Sequence, residues 1–116
     1  MANEHSHDKK KYELNANICK TLSNSKRLEI LHLLKDGEKS VSDLLTLIGA
    51  NKSNLSQHLA LLKKSHLISS RRDGINIYYT LTNARILKAC ELICDVLKEQ
   101  LKENNKALEA ITKSQQ

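Results

Sequence analysis

Proline, tryptophan and phenylalanine are absent from the 116 residues, and glycine occurs only three times. With no proline to interrupt a helix, breaks must come from glycines and capping residues, and Gly37, Gly49 and Gly74 are spaced as punctuation between elements. Aromatics make up 3%, the tyrosines Tyr12, Tyr78 and Tyr79, so the core must be built from leucine and isoleucine, which suits packed helices. Three cysteines without framework spacing argue against a secreted disulfide scaffold and place the chain in the cytoplasm, where thiols stay reduced. No apolar run approaches the ~20 residues of a membrane span, so no membrane association is expected. The polar start, Met1–Lys11, lacks the apolar core of a signal peptide and reads as a frayed leader. No Ser-His-Asp order, glycine-rich phosphate loop or paired-carboxylate cleft supports an enzyme.

What is present is basic. The formal net charge is +6, and the excess is concentrated centrally. Residues 40–85 carry six Lys/Arg against two Asp/Glu, whereas residues 86–116 carry five of each. A polyanion-binding surface needs such a local excess. The length supports one domain, read as residues 11–103 between a disordered leader, 1–10, and a polar tail, 104–116.

Apolar spacing predicts a first helix over about Lys9–Thr21, with Leu14, Ile18 and Leu22 on one face. Asn24 caps a second, Ser25–Lys35, whose inner stripe is Leu28, Leu31 and Leu34, with Gly37 after its end. Ser40-Val41-Ser42-Asp43 is a capping box opening a short third helix to Ile48, with Leu44, Leu45 and Ile48 inward and Gly49 as its stop. Asn51 caps a fourth helix reaching about Ser65, with Leu55, Leu59 and Leu62 as its stripe. The period then becomes strand-like: Ile68 to Leu81 contains an Asp73-Gly74 turn, followed by alternating Ile75, Ile77, Tyr79 and Leu81. A last helix runs from about Asn83 past Leu101, with Ile86, Cys90, Ile93, Cys94, Leu97 and Leu101 on one face, a dimerisation surface. The tail from Asn104 is expected to fray, with Leu108 and Ile111 able to prolong the helix.

Helix, glycine turn, polar-faced helix and hairpin form the pattern of a winged helix-turn-helix: mostly α, with a small β-hairpin wing. The major groove of B-form DNA admits one helix whose first turns reach base edges. Lys52, Ser53, Asn54, Ser56, Gln57 and His58 supply side chains suited to those edges, and Lys63, Lys64, Arg71 and Arg72 suit phosphate. The rival reading is a winged-helix protein-interaction or architectural dimer without DNA reading, which should instead expose apolar anchors on the fourth helix.

Three ordered motifs carry a family resemblance. Leu22-Ser-Asn-Ser-Lys-Arg27-Leu-Glu-Ile-Leu31 resembles the opening of the ArsR/SmtB repressors. Asn51-Lys-Ser-Asn-Leu-Ser56-Gln-His58-Leu-Ala-Leu-Leu62 is similar to their recognition helix, and Arg72-Asp-Gly74 through Tyr78-Tyr79-x-Leu81 to their wing. The resemblance covers roughly residues 12–101. It implies a homodimer joined through its first and last helices. That homodimer would repress an operator of imperfect-palindrome double-stranded DNA and release it when an inducer binds.

The family's known inducer sites do not carry over. Its arsenic site, Cys-Val-Cys at the start of the third helix, is here Ser40-Val41-Ser42, and a serine cannot replace a soft-metal thiolate. Its zinc site on the last helix needs histidine and carboxylate ligands, and no histidine follows His66. The remaining candidates are Cys19, Cys90 and Cys94. Cys90 and Cys94, at i and i+4, have Cβ atoms about 5–6 Å apart, too far for a relaxed disulfide but suited to two thiolates on one ion. Cys19 is a third ligand, or a partner in an interhelical disulfide or polysulfide bridge, if the helices pack together. The alternatives at these cysteines are reactive-sulfur or redox sensing, a trivalent arsenic-type metalloid, or plain packing as small hydrophobes, with cadmium or zinc disfavoured for want of nearby carboxylate or imidazole partners. No resident cofactor is required. His5 and His7 in the leader read as a solvated pair, and His32 as a local packing residue.

Overall fold

The computed structural model describes residues 3–114, with side chains from Asp8 to Lys113, so the His5 and His7 side chains lie outside the described residues. Two compact units divide between Asn83 and Ala84. The first contains helix α1 (Asn3–Leu22), helix α2 (Ser25–Leu33) with a following 3-10 turn (Leu34–Asp36), and strand β1 (Lys39–Ser40). It continues through helix α3 (Val41–Ile48), helix α4 (Lys52–Lys64) and strands β2 (Ile68–Asp73) and β3 (Asn76–Leu81). The second is one helix, α5 (Arg85–Ser114).

Helix α1 starts within the segment read as a frayed leader. No proline or glycine lies in this stretch, and Glu4 and Lys9–Lys11 are good helix formers, so the hydrogen-bonded ladder extends back to Asn3. Helix α2 starts where its cap predicted: Asn24 Oδ1 accepts from the backbone N–H groups of Lys26 and Arg27 at 3.0 and 3.1 Å. Its buried face is the expected one at Leu31 and Leu34, with Ile30 in the place of Leu28. Ile30, Leu31 and Leu34 are buried, while Leu28 is 39% exposed.

The core consists of ten leucines and isoleucines from α2, the 3-10 turn, α3, α4, the turn after α4 and the start of β2, with no buried polar side chain among the described residues. Fully burying each such side chain contributes about 1.5–3 kcal/mol, so this aliphatic cluster is what anchors α4. The end of α4 is closed by His66 at φ 61°, with Leu67 N–H donating to Leu62 C=O at 3.1 Å. Thr82 then ties the end of the hairpin back to this turn, its Oγ1 donating to His66 C=O at 2.6 Å.

The sheet is three-stranded and antiparallel in the order β1-β3-β2. The short β1, which sequence periodicity did not reveal, pairs Lys39 with Tyr79 and Ser40 with Tyr78. Between β2 and β3 the last pair is Asp73 with Asn76, so the two-residue loop is Gly74-Ile75, with Gly74 at φ +65°. A two-residue hairpin loop of this kind favours glycine at its first central position. Ile75, expected to alternate inward along β3, therefore sits at the tip, 98% exposed.

Helix α5 continues to Ser114, through the tail expected to fray, and is about 45 Å long at 1.5 Å per residue. Leu92, Ile93, Val96, Leu97, Leu101, Leu108 and Ile111 on it are all more than half exposed. No helix among the described residues is long and apolar enough to cross a membrane.

Candidate nucleic-acid interface

The site is built on α3, the turn after it, and α4. Ser40 Oγ accepts from Asp43 N–H at 3.1 Å and the Asp43 carboxylate accepts from Ser40 N–H at 3.5 Å, so the expected capping box is formed. Gly49, at φ 70° and ψ 20°, ends α3 in the left-handed conformation and turns the chain into α4. There Asn51 Oδ1 accepts from Asn54 N–H at 2.8 Å, fixing the first turn of α4. Leu55, Leu59 and Leu62 are buried on one side of that helix, at 0, 2 and 0% exposure. Its other side therefore faces outward, and Lys52, Ser53, Asn54, Ser56, Gln57 and Lys64 are all exposed.

His58 is placed differently from its neighbours in the same motif. It is half-buried, with Nδ1 enclosed and without a hydrogen-bond partner. Burial, reinforced by the charges of Arg27 and Lys26, holds its pKa below the ordinary 6.5. It sits at the flank of α4 toward α2, not among the outward-facing side chains.

The hairpin stands beside α4 across a cleft of about 410 Å³, lined by Lys52, Ser56 and Lys63 from α4 and by Asn76, Ile77 and Tyr79 from β3 and its start. Lys63 Nζ crosses to β2, donating to Ser70 Oγ at 2.7 Å. Side chains alternate between the two faces of a strand, so Arg72 shares the α4-facing side with Ser70 and is exposed there.

Arg71 lies on the opposite face. Its Nε and Nη2 donate to the two Glu38 carboxylate oxygens, both at 2.6 Å. Its guanidinium carbon lies 4.5 Å from the centre of the Tyr78 ring. The bond to Arg71 lowers the Glu38 pKa and raises that of Arg71. The structure thus separates two adjacent arginines that the sequence grouped together: Arg72 sits on the side facing α4, and Arg71 is held by Glu38 and Tyr78. Glu38 carried no local signal, being 33 residues from its partner.

The three cysteines are free thiols: Cys19 on α1 and Cys94 on α5 are exposed, and Cys90 on α5 is half-buried. Burial pushes the Cys90 thiol pKa up. Cys90 and Cys94 are one helical turn apart, and Cys19 belongs to the other unit. Among the described residues, no group of three His, Cys, Asp or Glu side chains is placed to hold a metal ion.

The family model for bacterial regulatory proteins of the arsR family matches residues 24–70. Over 76 residues the chain is 36% identical to the transcriptional activator HlyU of Vibrio cholerae serotype O1, covering 66% of this chain and 70% of that protein. It is 41% identical over 78 residues to the biofilm growth-associated repressor of Xylella fastidiosa, covering 67% of this chain and 66% of the other. Among solved structures, Mycobacterium tuberculosis Rv0081 superposes with a TM-score of 0.71 at 34% identity, covering 80% of this chain and 94% of that one. The homodimeric winged helix-turn-helix DNA-binding domain of Mb0332 from Mycobacterium bovis gives 0.66 at 33% identity, covering 72% and 81%.

Proposed function

The chain belongs to the arsR family of bacterial regulatory proteins and is a transcriptional regulator with a winged helix-turn-helix fold; within that class, we propose that it is a homodimeric repressor that reads an imperfect-palindrome operator with α4 and lets go when its cysteines are modified. The observation that carries the reading is the outward, polar first half of α4, seated on three buried leucines and set beside a basic hairpin. Lys52, Ser53, Asn54, Ser56 and Gln57 meet base edges, where amide side chains suit adenine and lysine suits guanine. Lys64 and Arg72 contact phosphate, and Lys63 braces the hairpin against α4 through Ser70. His58 serves as a packing residue that sets how α4 rests on α2. Two copies joined through α1 and α5 place two α4 helices in successive major grooves.

Release is assigned to thiol chemistry because free cysteines are the soft ligands this chain offers. Cys90 and Cys94, stacked one turn apart on α5, suit trivalent arsenic bridging two sulfurs or a reactive sulfur species, with exposed Cys19 on α1 as a separate target. The apolar face of α5 that carries Cys94 is the one assigned to the dimer, so modification there alters the spacing of the two α4 helices.

A gel-shift across a salt series, using DNA from upstream of the protein's own coding sequence, tests the DNA half. Sequence-selective binding that weakens with salt is expected, and binding absent at low salt overturns it. For release, Cys90→Ser and Cys94→Ser should keep DNA binding and lose the response to arsenite or polysulfide. Mass spectrometry then tells an added metalloid from an added sulfur chain, and a full response in both variants removes these cysteines from the mechanism.

A further inference from the structure

The Arg71–Glu38–Tyr78 arrangement spans all three strands. Arg71 projects from β2, Tyr78 is its register partner on β3, and Glu38 immediately precedes β1. Ser40, two residues after Glu38, is the β1 partner of Tyr78, so alternation puts Glu38, Tyr78 and Arg71 on one face of the sheet. Both oxygens of the carboxylate are used, each 2.6 Å from a guanidinium nitrogen, which is the fork-to-fork geometry that phosphate would otherwise engage. Arg71 stays accessible all the same: its side chain is 55% exposed and that of Glu38 31%.

We propose that Glu38 sets the DNA affinity of this chain by withholding Arg71 from the phosphate backbone, acting as a built-in acidic competitor on the wing. The inference rests on the DNA-binding reading above and concerns the strength of that binding. The affinity a cation contributes to DNA binding comes largely from the counterions it displaces from phosphate. An arginine already neutralised by a carboxylate adds no net charge to the wing. If it moves to phosphate, it strands that carboxylate beside a polyanion, so the gain at Arg71 is offset at Glu38. Arg72, on the other face, is in no ion pair among the described residues and carries the wing's phosphate contact. Two adjacent arginines thus differ in function because one has an acidic partner 33 residues away.

Glu38→Gln keeps the shape and removes the charge. The test measures anisotropy with a mixed-sequence duplex of about 30 base pairs between about 0.05 and 0.3 M salt, since the phosphate contribution is independent of sequence. One additional phosphate contact should steepen the slope of log K against log salt by about 0.9 and tighten binding about fivefold near 0.15 M. In Glu38→Gln/Arg71→Ala both gains should vanish, because the freed arginine is their source. Far-UV circular dichroism confirms that the variants fold, and Glu38→Ala provides a second route to the same release. An unchanged or shallower slope in a folded Glu38 variant overturns the inference while leaving the DNA-binding reading intact. So does a gain that persists in the double variant, since loss of the carboxylate charge alone would then explain it. If the unsubstituted protein fails to bind the duplex at low salt, the DNA-binding reading falls and the inference falls with it.

Discussion

Leu59 and Leu61 stand two residues apart on α4, the first 2% exposed and the second 45%. Truncating each to alanine makes the same chemical change in the same helix, so the helix-propensity contribution is nearly common to both and the contrast isolates burial. Leu59→Ala removes three carbons from the core. At about 0.8 kcal/mol per buried methylene, the lost transfer free energy is roughly 2.4 kcal/mol, and the residual cavity raises the cost to about 3–4 kcal/mol. Leu61→Ala gives up about half of that transfer and opens no enclosed cavity, so it should cost about 1 kcal/mol. For a unit of this size, each kilocalorie shifts the melting temperature by about 4–8 °C, so Leu59→Ala should melt at least about 10 °C lower. Urea unfolding followed at 222 nm gives both values, at one protomer concentration because a dimer's stability depends on it. Costs agreeing within about 0.5 kcal/mol would refute the claim that the Leu55/Leu59/Leu62 stripe anchors α4.

His58 gives a pH dependence. Its pKa in the folded protein lies below 6.5, so the folded form takes up a proton less readily than the unfolded chain. Its neutral form is therefore no burden above pH 6.5, and stability is lost as pH falls from there through the folded value. Urea midpoints at about pH 7.5 and about pH 5 should differ more in the unsubstituted protein than in His58→Gln, and equal differences would rule out His58 as the cause. At Gly74, φ is +65° and an added Cβ would meet nothing within 4 Å, so Gly74→Ala should cost about 1–2 kcal/mol through backbone strain alone. Gly74→Asn should recover part of it, measured as amide exchange in β2 and β3. On DNA, Gln57→Ala should narrow the preference for the upstream sequence over a scrambled one by about 1–3 kcal/mol, whereas Lys64→Ala should weaken both sequences alike and reduce the salt slope by about 0.9. The opposite pattern would exchange their roles.

The parts legible in the sequence are those specified by local chemistry. Asn24, Asn51 and the Ser40–Asp43 box each place a helix start to the residue, because a cap is a contact between neighbours only two or three positions apart. The buried stripe of α4 was also readable, since an i, i+4, i+7 spacing closes on itself at 3.6 residues per turn. Leu28, Leu31 and Leu34 do not close in that way. Steps of three fall short of a full turn by about 60° each, so Leu28 drifts away from Leu34 while Ile30 moves into the core beside Leu31. The hairpin register differs by one position because the glycine requirement lies at the first loop residue, which carries Ile75 out to the tip. β1 has two residues, too few to alternate, and Glu38 finds Arg71 only through sheet pairing. Apart from the face of α2 and the one-residue shift of the hairpin, the missing pieces are the non-local ones, and at the wing they separate Arg71, held by Glu38, from Arg72.

Helices α4 and α5 solve the same problem differently. Both are amphipathic, but the apolar stripe of α4 is covered by its own chain, whereas the large apolar residues of α5 from Leu92 to Ile111 remain more than half exposed. Five of them, Ile93, Leu97, Leu101, Leu108 and Ile111, fall within about 80° of arc at 100° per residue, and apolar patches of that kind mark interaction sites. In the homodimer we propose, a second α5 covers it, which makes the placement of two α4 helices depend on protomer concentration. Each α4 alone offers only one half-site, so operator affinity then follows the dimerisation equilibrium as well as the base contacts. A substitution such as Leu97→Asp, at a position already 58% exposed in one chain, should leave each protomer folded while abolishing the dimer. Tight operator binding should then fall to the weak, sequence-tolerant binding of a single half-site. Sedimentation and anisotropy on the same samples separate the two effects, and full operator affinity in a monomeric variant would show that α5 is not the coupling element.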